Sequence, residues 1–188
     1  PAPEDFIVQI PVMKEVLRAM GCKCIELEGF EADDIIGTVS RICDENNVAC
    51  SILTGDKDDL QLCSENTVVK LVVTRMGNTT TTPYDDKGVY EKFGVTPAEY
   101  IDVKGLMGDP SDNIPGVKGV GEKTAFSLIQ KYGSIENIYD RIDEIEVTNS
   151  VRTKLKDGED MARMSKTLAT IVRDVPIEFD FEDYKLEN

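Results

Sequence analysis

Gly108-Asp-Pro-Ser-Asp-Asn-Ile-Pro-Gly-Val-Lys-Gly-Val-Gly-Glu-Lys-Thr-Ala125 joins two kinds of chemistry in one short stretch. Asp109 and Asp112 come first, and at that spacing they would share a face if their segment is helical. Gly116, Gly119 and Gly121 follow, and the loop runs into a helix start that carries Lys123 and Thr124. Carboxylates suit a hard cation, whereas glycines and free amide groups at a helix start suit a phosphate. Val117 to Gly121, followed by Glu122 to Ala125, has the form of a helix–hairpin–helix turn, at about 105–132, in which glycine lets the backbone approach a phosphate. Lys118, Lys123 and Thr124 would add contacts that position a duplex without reading its sequence. A glycine-rich turn is also a common plain connection.

Upstream, Phe6, Ile10, Met13, Leu17 and Met20 recur at helical spacing over residues 4–20, with Pro11 expected to kink or restart the helix and Gly21 to end it. A short strand is expected at Lys23 to Leu27, then a helix at about 31–46 with Ile35, Ile36, Val39 and Ile42 on one face. Val48 to Thr54 is a continuous apolar run, as in a strand covered on both faces. Strand, helix, strand in that order predicts a parallel sheet with a right-handed crossover. A helical turn at about 58–63 and a hairpin through Gly77-Asn78 to Pro83 complete the sheet edge. From Asp85 the pattern turns helical: 85–93, Thr96-Pro97 as cap and first residue of a helix to about 107, then about 122–132, 134–141, 149–157 and 159–172. An acidic strand or linker ends the chain.

Three acidic groups fall where an open α/β sheet puts its ligand crevice, beyond the carboxyl ends of strands. Glu31, Asp33 and Asp34 open a helix, Asp56 and Asp58 follow a strand, and Asp109 and Asp112 lead the glycine loop. Each group alone has an ordinary reading, since a helix dipole favours acids in its first turn and Asp is a common turn residue. Their convergence is what points to metal. Like charges about 4 Å apart repel by on the order of 1–4 kcal/mol per pair, and a cation removes that cost. Two Mg²⁺ or Mn²⁺ ions roughly 4 Å apart would make a phosphodiester hydrolase site. Asp59 and the other surface acids read as solvated, and Cys22 and Cys24 as core thiols.

Composition limits the alternatives. The 188 residues include 36 acidic and 21 basic side chains, a net charge of −15, which argues against a basic nucleic-acid footprint for the whole chain. The charge is uneven: residues 1–113 hold 21 acids and 10 bases, residues 114–173 hold 9 and 10. A polyanion would therefore have to meet the second part or a cation. No histidine is present, which removes His-activated nucleophiles and most zinc sites, and five cysteines in an odd count without a paired motif read as reduced thiols. No apolar run approaches the roughly 20 residues of a membrane helix. The chain starts at Pro1 with a helical pattern close behind, so it reads as an excised fragment.

Phe30-Glu-Ala-Asp-Asp-Ile-Ile36, Thr54-Gly-Asp-Lys-Asp-Asp-Leu-Gln-Leu62 and Gly108 to Ala125 together resemble the 5′→3′ exonuclease domain of bacterial DNA polymerase I, in the flap endonuclease superfamily. The resemblance implies a PIN-like α/β core, 1–83, a helical subdomain with the helix–hairpin–helix turn, 84–175, and a terminal strand or linker, 176–188. It implies Glu31, Asp33, Asp34, Asp56, Asp58, Asp109 and Asp112 as metal ligands for two Mg²⁺ or Mn²⁺, often with K⁺ at the glycine loop. It implies 5′→3′ exonuclease or 5′-flap endonuclease action on duplex DNA in replication and repair, in a monomer with a polymerase domain in cis, in a bacterial cytoplasm at the nucleoid. Asp59 stands where the family has an apolar residue. The family's opening strand with a further aspartate, and its basic arch, do not precede Pro1, so the fragment itself is expected to be impaired. A non-catalytic DNA-binding module and a stand-alone exonuclease are the competing readings.

Overall fold

Residues 3–185 are described by a computed structural model. The chain opens with α1 (Glu4–Ile7) and α2 (Gln9–Ala19). Pro11 lies in the first turn of α2, where its missing N–H costs no helical bond, so the break at Val8 is the expected restart. The expected apolar face is not buried: Phe6 is 57% exposed and Met20 67%. Lys23 to Leu27 does not form the expected strand. A strand needs a ladder partner, and no described segment pairs with this one; Glu26 is held instead by an ion pair to Lys14 at 2.7 Å. Cys22 and Cys24 are half-buried there, not core residues.

α3 (Ala32–Glu45) starts on a reciprocal capping box, the Glu31 side chain accepting the Asp34 N–H and Asp34 Oδ2 accepting the Glu31 N–H at 3.2 Å. Its most buried face carries Ile35, Gly37, Thr38, Ser40 and Cys43, while Ile36, Val39 and Ile42 are only half-buried. The reason is the chain after the last helix, which crosses α3 as an extended strap and takes small and polar residues as its seat. Thr38 Oγ1 accepts the Val175 N–H at 3.0 Å, and Asp34 Oδ1 accepts the Val172 N–H at 2.9 Å. The expected terminal strand is thus a strap without a ladder, followed by a 3₁₀ turn at Phe181–Tyr184. The last three residues of the 176–188 segment, and Pro1 and Ala2, lie outside the described residues.

β1 (Cys50–Thr54) pairs in parallel with β2 (Thr67–Arg75), and β2 pairs antiparallel with β3 (Asn78–Tyr84) in the order β1-β2-β3. The parallel crossover does not run through α3, as the strand–helix–strand order predicted, because Lys23 to Leu27 is not a strand; it runs from β1 to β2 through a 3₁₀ turn at Asp58–Leu62, where a helical turn was expected. Met76 and Gly77, both at positive φ, make the hairpin turn, and Asn78 already pairs with Arg75. β1 is covered on one face only: Ile52 is buried, Leu53 is 69% exposed. A continuous apolar run there does not bring a second layer, because no described element lies over that side.

The second half is helical: α4 (Asp86–Phe93), α5 (Pro97–Met107), α6 (Glu122–Tyr132), α7 (Ile135–Asp140), α8 (Asn149–Asp157) and α9 (Glu159–Ala169). Asp85, Thr96, Ser134 and Thr148 cap α4, α5, α7 and α8 by accepting first-turn amides. α5 lies at the centre, burying Tyr100, Asp102, Val103, Lys104, Gly105 and Leu106. Its Gly105 lets α9 approach, since a Cβ there would stand 3.2 Å from the Ala162 carbonyl oxygen. One core spans both halves, with Leu60, Leu62 and Val69 packed into the same cluster as Val103, Leu106, Ile129 and Leu155. Tyr84, Phe93, Tyr100 and Phe126 form an aromatic chain across the junction.

After α5 the chain doubles back. Asp109 and Ile114 form an isolated antiparallel bridge, and Gly108 (φ +72°) and Gly116 (φ +60°) face each other backbone to backbone. A Cβ on Gly108 would stand 2.5 Å from the Ile114 oxygen, and one on Gly116 2.7 Å from Gly108 Cα. Asp109 and Asp112 are therefore presented by a closed loop and not by a helix. Gly116→Ala is expected to destabilise the chain by on the order of 2–4 kcal/mol, read as a lower denaturant midpoint, because both φ and backbone contacts oppose the new methyl.

Candidate metal centre and nucleic-acid interface

The capping box at the start of α3, the turn after β1 and the closed loop after α5 bring their acids to one open pocket of about 300 Å³. Glu31, Asp33, Asp34, Asp56, Asp58 and Asp112 line it, with Leu168, Thr170 and Ile171 from the end of α9 and the strap. Asp58, Asp109 and Asp112 each place a carboxylate oxygen within 4.8 Å of the other two. That all-oxygen set fits a hard divalent cation. It also joins the two halves, since Asp58 belongs to the sheet and Asp109 and Asp112 to the helical part.

Local hydrogen bonds aim these groups. Asp56 Oδ1 accepts the Asp58 N–H at 2.8 Å, and Asp109 Oδ1 accepts the Ser111 N–H at 2.8 Å and its hydroxyl. Lys104, which the motifs did not single out, reaches both sides from α5: its ammonium donates to Asp109 Oδ2 and lies 2.5 Å from Asp58 Oδ1. Asp34 is differently placed, for its two oxygens already serve the capping box and the strap.

The charge of the pocket shows in its acidities. Asp33 is pushed up to about 6, first by burial and then by Asp59, Asp56, Glu31 and Asp58. Burial also raises Asp58, against the pull of Lys104. Asp109, despite a burial effect in the opposite direction, is held at about 2 by Lys104 and Ser111. Burial would lower the Lys104 ammonium, but the bonds to Asp109 and Asp58 reverse this and raise it.

Asp59 departs most from the sequence reading. It is not solvated but fully buried, beside the pocket and not lining it, and neither carboxylate oxygen has a hydrogen-bond partner. A 3₁₀ turn with leucines on its inner side rotates Asp59 inward with Leu60 and Leu62, and Asp58 outward. The acid that faces the cluster is therefore Asp58. The neighbouring leucines offered a sequence signal for this, because in a tight turn one face of Asp58–Leu62 must be covered.

The glycine turn is exposed where a phosphate would need it. Lys118, Gly119, Gly121 and Lys123 are exposed, Thr124 is half-buried, and Val117, Val120 and Ala125 anchor the turn from below, with Gly116 also buried. Gly121 caps α6 without a side chain, so its first-turn amides have no side-chain acceptor, unlike those of α4, α5, α7 and α8. Lys154 of α8, another residue the motifs missed, donates to the Gly119 carbonyl at 3.2 Å and adds positive charge beside the turn.

An α/β half that gathers acids at a strand end, joined to a helical half with a glycine turn, defines a two-part protein, and the sequence places it. A 5′-3′ exonuclease N-terminal resolvase-like domain matches residues 1–94, and a 5′-3′ exonuclease C-terminal SAM fold matches residues 95–188. The chain belongs to the 5′-3′ exonuclease family. It is 46% identical over 185 residues to DNA polymerase I of Caldicellulosiruptor bescii, covering 98% of this chain and 22% of that protein. It is 45% identical over 176 residues to DNA polymerase I of Bacillus subtilis, covering 94% and 20%. The chain thus spans about a fifth of the length of these curated relatives. The bacteriophage T5 flap endonuclease, solved as a pseudo-enzyme–product complex with DNA and metal ions, matches 90% of this chain and 60% of its own with a TM-score of 0.74 at 22% identity. At that identity the likeness is one of fold.

Asp59→Leu is expected to stabilise the metal-free chain by about 1–3 kcal/mol at pH 7, since it removes a buried carboxyl without partners. Asp59 is raised by burial first, so its penalty is absent below the ordinary Asp range and grows as pH rises through that range toward the raised value. Denaturant unfolding should show the gain of Asp59→Leu at pH 7 and its shrinkage near pH 3.

Proposed function

We propose that this chain is the metal-holding and duplex-gripping part of a 5′→3′ exonuclease or 5′-flap endonuclease that acts on DNA in replication and repair. Family membership supports the reaction class, and the observation that carries the site is the set of Asp58, Asp109 and Asp112 oxygens within 4.8 Å of one another at the junction of the halves. In this reading those three hold one Mg²⁺ or Mn²⁺, and Asp33, Asp56 and Glu31, across the pocket, serve the second. Asp34 contributes by holding the α3 start and the strap in register, directly or through water at the ion. When bound, such ions polarise a phosphodiester and lower the pKa of water, so no covalent enzyme intermediate is required. The chain's own part is to fix the carboxylates and exclude bulk water behind Asp58 and Asp109, which are mostly buried.

The glycine turn serves the duplex. Gly119 and Gly121 let backbone amides meet a phosphate, and Lys118, Lys123 and Thr124 add charge and a hydroxyl, with Lys154 in support; Gly116, expected to share this role, instead closes the acidic loop and donates its buried amide to Ser165 Oγ at 2.9 Å. K⁺ at this turn would share the Gly119 carbonyl with the Lys154 ammonium. In this reading a core unit, 1–83, supplies Glu31, Asp33, Asp34, Asp56 and Asp58, and a helical unit, 84–175, supplies Asp109, Asp112 and the turn. The polymerase I relatives support a polymerase domain in cis and a bacterial cytoplasm. No helix among the described residues is long and apolar enough to cross a membrane.

Calorimetric titration with Mn²⁺ should show binding to the native chain that is lost in Asp58→Asn plus Asp112→Asn; unchanged heat in the double variant would sink the metal assignment. Lys123→Ala should weaken duplex binding evenly across sequences and reduce the slope of log K against log salt by about 1. Unchanged binding at low and high salt would remove the phosphate role.

A further inference from the structure

The pocket acids and Lys104 are placed as an ion and its stand-in would be. Lys104 is 6% exposed and its ammonium touches Asp58 and Asp109, two of the three acids whose oxygens converge. Among the described residues, no other lysine or arginine brings a side-chain nitrogen within 4.0 Å of a carboxylate oxygen of the seven candidate ligands. The ammonium bridges Asp109 Oδ2 and Asp58 Oδ1, the latter at 2.5 Å, while Asp112 forms no ion pair among the described residues, so the third carboxylate of the cluster is left to another cation.

We propose that Lys104 is the resident cation of this centre: it holds Asp58 and Asp109 together in the metal-free chain, yields them to a divalent ion, and so sets how tightly that ion binds. The inference rests on the reading of Asp58, Asp109 and Asp112 as ligands. Three carboxylates this close need positive charge at all times, and a lysine on a buried helix supplies it without an ion. A divalent ion must then displace the ammonium or sit beside it, and either event weakens its binding. Lys104 is in this sense a positioning residue, acting through the carboxylates and not on the substrate.

The test is Mn²⁺ titration calorimetry of the 188-residue chain with Lys104→Met, Lys104→Arg and Asp112→Asn. Lys104→Met should bind Mn²⁺ roughly ten-fold or more tightly than the native chain. It should also melt at a lower temperature without metal and gain more on adding it. Lys104→Arg, which keeps the charge, should stay near the native affinity. Equal or weaker binding by Lys104→Met overturns the inference and leaves the ligand assignment standing. Unchanged binding by Asp112→Asn overturns the ligand assignment itself. If Lys104→Met does not fold, amine labelling of the native chain decides: Lys104 should react faster in saturating Mn²⁺, and equal or slower labelling overturns the inference.

Discussion

A helix at the centre of a core can bury a charge only where that charge is matched, and α5 buries two. Asp102 and Lys104 are both buried, two residues apart, and project to different neighbours. Asp102 Oδ1 accepts the Ile135 N–H at 2.9 Å and the Lys166 ammonium at 2.7 Å, which fixes α7 and α9 on the helical side. Lys104 reaches Asp58 of the sheet half and Asp109 of the closing loop. Removing one partner of such a pair typically costs about 3–5 kcal/mol, because a buried charge is left unmatched. The central helix thus orients the halves by electrostatics while its Val103 and Leu106 hold them by burial.

The acid pocket is built against its own repulsion. Three backbone devices hold the carboxylates in place: the capping box of α3, the turn after β1, and the loop that Gly108 and Gly116 close. The strap after α9 adds a fourth, since Arg41 Nε donates to the Arg173 carbonyl at 2.5 Å and Gln61 exchanges bonds with Ala169 and Ile171. The cost is visible in Asp33, held near 6 by burial and by its acidic neighbours. Gathered carboxylates of this kind mark a functional centre more often than a structural one.

Much of the site was legible in the chain, because its chemistry is local. Glu31-Ala-Asp33-Asp34 announces a helix start, Thr54-Gly-Asp56 a strand end, and Val117 to Gly121 a turn that only small residues allow; the structure brings the three acidic groups to one pocket. Non-local facts were not legible. Whether Lys23 to Leu27 becomes a strand depends on a partner elsewhere, and whether Leu53 is covered depends on a second layer. Asp59 read as surface because an aspartate usually is, yet the turn geometry and Leu60 and Leu62 carry it inside. Lys104 gave no motif signal at all, for its meaning lies in two acids that approach it only in the folded chain.

The sequence by itself determined the helices and most of their boundaries, the β-hairpin, the glycine turn and the candidate ligands, since caps, glycines and apolar periodicity act within a few residues of chain. Tertiary structure alone decided which acids share a cluster, which aspartate faces inward, and which lysine stands among them. Those outcomes depend on burial and on Coulomb interactions between segments far apart in sequence, and both exist only once the sheet, the central helix and the strap are packed together.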